Sequence, residues 1–300
     1  MTKRLSLCHP FMQFDIRTYD EVTSTNDVVK QLALEGEPEG VVVCASTQTA
    51  GYGRRGNTWK SDPGSLYMSL LLRPQSEAAQ IQTLPLVTAV AVRRAIASFL
   101  PESEGDIVQV KWPNDVVVVP KDDKTSDVLS SFSKICGISS ELKHGAICVG
   151  IGVNVNTDDA DVDTGITVDV GGDAYAQDAA RNRPTYMSEL LGRDECPAID
   201  QVRDAVLAQF ASAYESWQQF GFAPFRDDYM RHFALMGKTV CVEEALASDA
   251  NGTMRSNDIP CCIVEGVDDE GRLVVSACDD GSQLKVTAGR VQVLHGKQHC

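Results

Sequence analysis

Hydrophobic positions along this chain change period several times, and each change predicts an element. After Thr23-Ser-Thr-Asn-Asp27, a cluster of helix-capping side chains, Val28 to Leu34 repeats with helical spacing and stops at Gly36 to Gly40. Val41 to Gln48 then reads as a strand, and Leu66 to Arg73 as a second one beyond the turn Asp62-Pro-Gly-Ser65. Leu84, Val87, Ala91 and Ala95 mark a helix that is apolar on most sides and so packs across a sheet. A strand over Ile107–Val110 leads into Lys111-Trp-Pro-Asn-Asp115. A further helix, about Ile199 to Phe220, carries Val202, Val206, Phe210, Tyr214 and Trp217 on one face and ends at Gly221. From about Gly237 the pattern shortens to strands at 238–243, 261–267, 272–278, 283–288 and 290–294, joined by Asp/Gly turns, as in a small β-barrel. The expected architecture is α+β, with a larger unit at 1–236 and a second at 237–300.

Two strands carry unusual faces. Between Ala146 and Asn156 one face reads Ile147, Val149, Ile151, Val153, Val155, a plain core stripe, while the other reads Cys148, Gly150, Gly152, Asn154, Asn156. Glycines at successive same-face positions mark close approach to the backbone, by another helix or by a ligand. Upstream, Ser133 to Leu142 places Lys134 at the head of an otherwise apolar strand, as a solvated strand end or as a working cation. Two segments, about 120–132 and 157–184, are charged or acidic with little hydrophobic period and are expected to be mobile loops.

Composition narrows the function. The 300 residues hold 42 acids against 27 bases, a net charge of −15 that opposes binding to nucleic acid or to anionic membrane surfaces. The apolar run Ile81–Leu100 is broken by Pro85, Arg93 and Arg94, so it is a buried helix and no membrane span. Ten cysteines without a C-x-x-C pair suggest reduced thiols in an intracellular protein, cytoplasmic or alternatively mitochondrial, and the N-terminus lacks the apolar stretch of a secretory signal. No Walker-type phosphate loop is present.

Against that acidic background, Gly51-Tyr-Gly-Arg-Arg-Gly-Asn-Thr-Trp59 stands out. Its glycines let amide groups face an anion, Arg54 and Arg55 offer fork-shaped charge for phosphate or carboxylate, and Trp59 can stack on a purine. A solvated loop with a core tryptophan explains the segment equally well.

Five motifs occur in order: Ser24-Thr25-Asn26; Gln48 through Trp59; Lys111 through Asp115; Lys134-x-x-Gly137-Ile138-x-x-Glu141; and Gly150-x-Gly152-x-Asn154. With Gly221-Phe-Ala-Pro-Phe225 they resemble the biotin protein ligases over about residues 14–295. The resemblance implies a class II aminoacyl-tRNA synthetase-like mixed sheet packed with helices, plus a C-terminal SH3-like barrel. It implies that biotin and ATP, with Mg²⁺, form biotinyl-5′-AMP, and that biotin then passes to a lysine of a carboxylase's biotin-carrier domain. Lys134, Arg54 and Lys111 would be catalytic. Ser24, Thr25, Asn26, Gln48, Gly51, Tyr52, Gly53, Arg54, Lys134, Gly137, Gly150 and Gly152 would surround biotin. Arg54, Arg55, Gly56, Trp59, Lys111, Asn114, Asp115, Lys134 and Asn154 would hold ATP, with Asp115 the candidate metal ligand and Asn114 alternatively a helix cap. Lipoate ligases, which also form acyl-adenylates, and a non-catalytic biotin-binding module are the alternatives. Tyr52 and Asn57 depart from the family, which often has basic residues there. Family members that act as repressors carry an N-terminal helix-turn-helix, which is not expected here. Either a monomer or a homodimer is compatible with the sequence.

Overall fold

The computed structural model describes residues 3–120, 132–157, 184–249 and 252–294. Two strands, β1 (Lys3–His9) and β2 (Met12–Val22), form an N-terminal hairpin that the hydrophobic pattern does not announce, because β1 is largely exposed. Helix α1 (Thr25–Leu34) then crosses over to β3 (Val41–Gln48), which pairs parallel to β2. Parallel neighbours need such a crossover, and α1 supplies it. Strand β4 (Leu66–Leu72) is buried along its whole length, because it lies between two strands and under helices on both faces. Next come α2 (Ala78–Ile81), α3 (Leu84–Ala97), the hairpin β5 (Val108–Lys111) and β6 (Asp115–Val118), and the long hairpin β7 (Ser133–Lys143) and β8 (Ala146–Val153). The eight strands form one mixed sheet in the order β1-β2-β3-β4-β8-β7-β6-β5.

Three helices follow, α4 (Met187–Leu191), α5 (Ile199–Phe220) and α6 (Ala223–Arg231). The α3–α5 pair covers one face of the sheet, where Met68, Leu70, Leu72, Val149 and Ile151 meet Val87, Val90, Phe210 and Trp217. Along α5 the rings of Phe210, Tyr214 and Trp217 stack at 5.5 and 5.6 Å, and Trp217 Nε1 donates to Thr83 Oγ1 at 2.9 Å, so the one polar atom of the indole is satisfied. Helix α1 covers only part of the other face, through Val29, Leu32 and Ala33 on Val41, Val43, Leu71 and Cys148. That partial cover leaves room for a site.

The C-terminal strands are β9 (Thr239–Ser248), β10 (Met254–Ser256), β11 (Ile259–Val267), β12 (Leu273–Ala277) and β13 (Gln283–Val293), in the order β10-β9-β11-β12-β13, with β13 also pairing back onto β9. The two strands expected at 283–288 and 290–294 are one. Bulges around Ala288 let a single bent strand stay on β9, and Gly289 fits there because a Cβ would meet Val242 Cγ1 at 2.5 Å. This sheet shares its apolar core with the first, and Trp112 Nε1 donates to Gly271 O at 3.0 Å across the junction.

No helix among the described residues is long and apolar enough to cross a membrane. Cys44, Cys136, Cys148 and Cys262 are buried, and burial pushes the thiols of Cys44 and Cys148 up to about 12, which suits small hydrophobes rather than nucleophiles. Cys261 is disulfide-bonded, an exception to the expectation of ten reduced thiols. The segments expected to be mobile, about 120–132 and 157–184, lie almost wholly outside the described residues.

Trp217 is fully buried. Trp217→Ala is therefore expected to cost about 3–5 kcal/mol in denaturant unfolding, and a loss below about 1 kcal/mol would contradict its place in the core.

Candidate active site

Register places the glycines. Directly opposed residues of an antiparallel pair share a face, so the pairings give three rows across β4, β8 and β7: Tyr67, Gly152, Gly137; Ser69, Gly150, Ser139; and Leu71, Cys148, Glu141. Two of those rows lack side chains in the middle, and a trough runs over them. The protein's own side chains enter it. A Cβ on Gly150 would lie 2.3 Å from Asn26 Oδ1, one on Gly152 would lie 2.7 Å from the Trp59 ring, and one on Gly137 would also meet that ring at 2.7 Å. The choice between a helix and a ligand was thus incomplete, since a helix side chain and a loop indole make the approach.

Lys134 reaches the same face through a bulge. Strict alternation from Gly137, Ser139 and Glu141 would turn Lys134 into the core beside Cys136 and Ile138. Between the pairs Val116–Cys136 and Val117–Lys134, however, β7 carries one extra residue, Ile135, and the phase inverts. Lys134 Nζ therefore stands 5.1 Å from the Trp59 ring centre and 2.7 Å from Asp115 Oδ1, as an ion pair rather than an aligned hydrogen bond.

A polar cluster closes one end of the trough. Gln48 Oε1 accepts from the Thr25 amide at 2.8 Å, and Gln48 Nε2 donates to Ser61 Oγ at 2.8 Å. Asn26 Nδ2 donates to Ser139 Oγ at 3.1 Å, while Ser69 Oγ lies 2.7 Å from Asn26 Oδ1 and 2.8 Å from Thr25 Oγ1. Thr25 and Asn26 are buried, although they belong to the first turn of α1. Ser24 occupies the N-cap position without a side-chain cap bond, so the polar run before α1 serves the sheet face instead of the helix end.

The loop from Gly51 to Trp59 forms a small hairpin over the trough. Trp59 N donates to Gly51 O at 2.9 Å and Gly53 N to Asn57 O at 2.8 Å, with a turn at Arg54–Gly56. Arg54 Nη1 donates to Asn114 Oδ1 at 2.8 Å, and Asn114 sits in the β5–β6 turn, which corrects the helix-cap alternative. Tyr52 donates its hydroxyl proton to Asp27 Oδ1 at 2.8 Å and accepts from Lys30 Nζ, which also pairs with Glu141 Oε2 at 3.2 Å. Burial pushes the Tyr52 phenol up to about 12, the bond to Asp27 adding to it. Burial pulls Lys30 down, but its bonds to Tyr52, Asp27 and Glu141 outweigh that and hold it above the ordinary lysine range.

Together these residues enclose a cavity of about 380 Å³. Its wall carries Arg54, Lys111, Lys134 and Arg290 against one carboxylate, Asp115. A positive hollow in a chain of net charge −15 favours an anionic ligand, and its partly apolar walls strengthen the field.

Residues 19–158 match the model of the biotin/lipoate A/B protein ligase family. Over 258 residues the chain is 29% identical to the biotin–[acetyl-CoA-carboxylase] ligase of Paracoccus denitrificans, covering 84% of this chain and 90% of that one. Identity is also 29%, over 259 residues, to the bifunctional ligase/repressor BirA of Bacillus spizizenii, covering 85% and 67%. Among solved structures, the biotin protein ligase of Aquifex aeolicus, in complex with biotin and ATP, superposes with a TM-score of 0.66 at 22% identity, covering 94% and 99%. That of Leishmania major, with biotinyl-5-AMP, gives 0.55 at 20%, covering 96% and 100%. The fold is the α+β, biotin-protein-ligase-like one, a mixed central sheet packed by helices.

Most residues expected from the motifs of this ligase family do line the cavity: Thr25, Asn26, Gln48, Tyr52, Gly53, Arg54, Trp59, Lys111, Asn114, Asp115, Lys134, Gly137, Gly150 and Gly152. Asn154 does not, because its amide group donates to Lys134 O and Thr185 O, both at 3.1 Å, and fixes the chain beside the bulge. Ser24, Gly51 and Gly56 also lie off the wall. Ser24 is buried at the N-cap, Gly51 is pressed by Ser61, Trp59 and Gln48, and Gly56 turns the loop with φ +74. Arg55 contributes backbone to that turn.

Several wall residues escaped the sequence reading, among them Ser139, Phe132 and the stretch 289–292 of β13. Ser139 was readable, since it sits two positions past Gly137 on the same face. Arg290 lies far along the chain and is delivered by the second sheet, so no local signal existed.

Gly152→Ala should force the Trp59 ring out of the trough and lower stability by about 1–3 kcal/mol. The Trp59 indole N–H resonance reports this; an unshifted resonance would contradict the packing.

Proposed function

We propose that the chain is a biotin protein ligase that activates biotin with ATP and transfers it to a lysine of a biotin-dependent carboxylase's carrier domain. The observation that carries this reading is the coincidence of the cationic wall and the polar cluster in one cavity, on a ligase-family sheet. Biotin has a neutral ureido ring and an anionic carboxylate. Ser and Thr hydroxyls and the Asn and Gln amides of the closed end offer donors and acceptors for the ring, and the cations lie toward the other end. The relatives named above as biotin ligases support this, as does Trp59 beside Lys134, an aromatic surface on which adenine can stack.

In the first step a carboxylate oxygen of biotin bonds to the α-phosphorus of ATP, the bond to the bridging oxygen breaks, and pyrophosphate leaves. Two anions must meet for this. Lys134 from β7 and Arg54 from the loop over it neutralise the carboxylate and phosphate oxygens, with Lys111 beside them. In the second step the acceptor amine bonds to the acyl carbon of biotinyl-AMP, loses a proton, and AMP departs. The loop keeps water from the mixed anhydride in the interval.

ATP would arrive as its Mg²⁺ complex. Among the described residues no group of three or more His, Cys, Asp or Glu gathers to hold a metal, and Asp115 is the single carboxylate in the wall, paired with Lys134. Asp115 is thus the wall residue that would help hold a phosphate-bound metal, which would add positive charge beside the phosphates.

The reading extends to the rest of the chain. Pairings β9–β11, β11–β12, β12–β13 and β13–β9 run in a ring, which supports an SH3-like barrel as a second domain over 237–300. The acidic net charge supports a protein partner over nucleic acid.

The test is ATP–pyrophosphate exchange, run with biotin and with lipoate. Biotin-dependent exchange is expected; exchange with lipoate alone would reassign the substrate, and biotin binding without exchange would indicate a sensing module. Lys134→Ala should lower the biotin-dependent rate by about 100-fold or more while the far-ultraviolet spectrum is unchanged. Arg54→Gly is expected to release biotinyl-AMP, seen as increased biotinylation of serum albumin added as a bystander; unchanged labelling would count against Arg54 as a retaining group.

A further inference from the structure

Four charged or polar residues near the site have no role in the chemistry above: Asp27 and Lys30 on α1, Glu141 on β7, and the hydroxyl of Tyr52. They form one connected group. The Lys30 ammonium donates to Tyr52 Oη and to Glu141 Oε2 at 3.2 Å and forms an ion pair with Asp27 Oδ1 at 3.0 Å, while the Tyr52 hydroxyl proton goes to Asp27. The ammonium also lies 5.0 Å from the centre of the Tyr52 ring. Neither Lys30 nor Glu141 lines the cavity, so the charge of Lys30 is spent on protein groups and not on substrate.

This group ties the loop to the body of the domain. Side chains of Tyr52 and Arg54 bond beyond the loop: Tyr52 reaches Asp27 and Lys30 on α1, and Arg54 reaches Asn114. They are unequal under load. When Arg54 turns toward a substrate anion, its bond to Asn114 competes with that anion, whereas nothing in the reaction competes for the Tyr52 hydroxyl.

We propose that Lys30 is a positioning residue which, acting through Tyr52, latches the Gly51–Trp59 loop onto α1 and β7 and so sets how long biotin and its adenylate are retained. The inference rests on the ligase reading for its consequence but not for its existence. Asp27 and Glu141 orient the ammonium, and Tyr52 is the only latch member carried by the loop. Removing the phenol oxygen deletes its bonds to Lys30 and Asp27, and removing the ammonium deletes the first of these, so Lys30→Met must add nothing once Tyr52 is Phe.

The test compares the wild type, Tyr52→Phe, Lys30→Met, the double variant and Lys30→Arg. Amide hydrogen exchange of Gly53 and Trp59 in the ligand-free full chain reports on the loop directly, because these amides close its hairpin. Each of the first two single variants is expected to speed exchange by about 10-fold, the double variant by no more than Tyr52→Phe alone, and Lys30→Arg is expected to keep the slow rate. Biotin dissociation, followed by displacement of a labelled biotin, is expected to quicken in the same order. Unchanged exchange in the single variants, or additive changes in the double, would overturn the latch. A wild type that binds no biotin would instead overturn the ligase reading, with the exchange result still deciding the latch.

Discussion

The site depends on the missing Cβ atoms of Gly137, Gly150 and Gly152. A sheet face normally presents side chains about every 7 Å along each strand, and such a face over β4, β8 and β7 would fill the space beneath the loop. Because β7 and β8 pair Gly137 with Gly152, and Gly150 with Ser139, the gaps fall side by side and become a trough. Trp59 and Asn26 can then descend to the backbone, and the loop and α1 follow them. Substituting any of these glycines moves a whole element, not one side chain.

The second condition is electrostatic. An acidic chain that places four cations around one carboxylate concentrates its positive potential where two anions must approach each other. Two of these cations rest on neighbours, Arg54 on Asn114 and Lys134 on Asp115, and exchange those contacts for a ligand's oxygens when it enters. At the opposite end the paired hydroxyls and amides are satisfied by one another. A ligand that replaces those bonds one for one is admitted, and a purely apolar one would leave buried polar groups unpaired.

The opposite face supplies the rigidity. Met68, Leu70 and Leu72 project into the α3–α5 layer while Ser69 and Leu71 project toward α1, so the same strand anchors the core and presents the site. Movement of the trough would therefore disturb the apolar layer beneath it. The loop, by contrast, is held by polar contacts from Tyr52 and Arg54 and by the Trp59 ring over the glycines, which is where motion is cheapest.

Sequence alone determined the elements whose hydrophobic period is unbroken. Strand Val41–Gln48 and helix Ile199–Phe220 stand at the boundaries read from the pattern, and the alternation of Ile147 to Val155 against Cys148, Gly150 and Gly152 already showed which strand would be approached. Motif order likewise brought most of the cavity wall to light. Tertiary structure decided what alternation cannot encode. The bulge at Ile135 turns Lys134 from the core to the cavity, and a local pattern has no means of showing an extra residue whose partner lies on β6. Asn154 was drawn away from the wall by carbonyls of Lys134 and Thr185, and Arg290 was brought to it by a sheet that begins 128 positions after Lys111. These outcomes rest on contacts between residues distant in the chain, where geometry is set by packing and pairing rather than by the order of side chains.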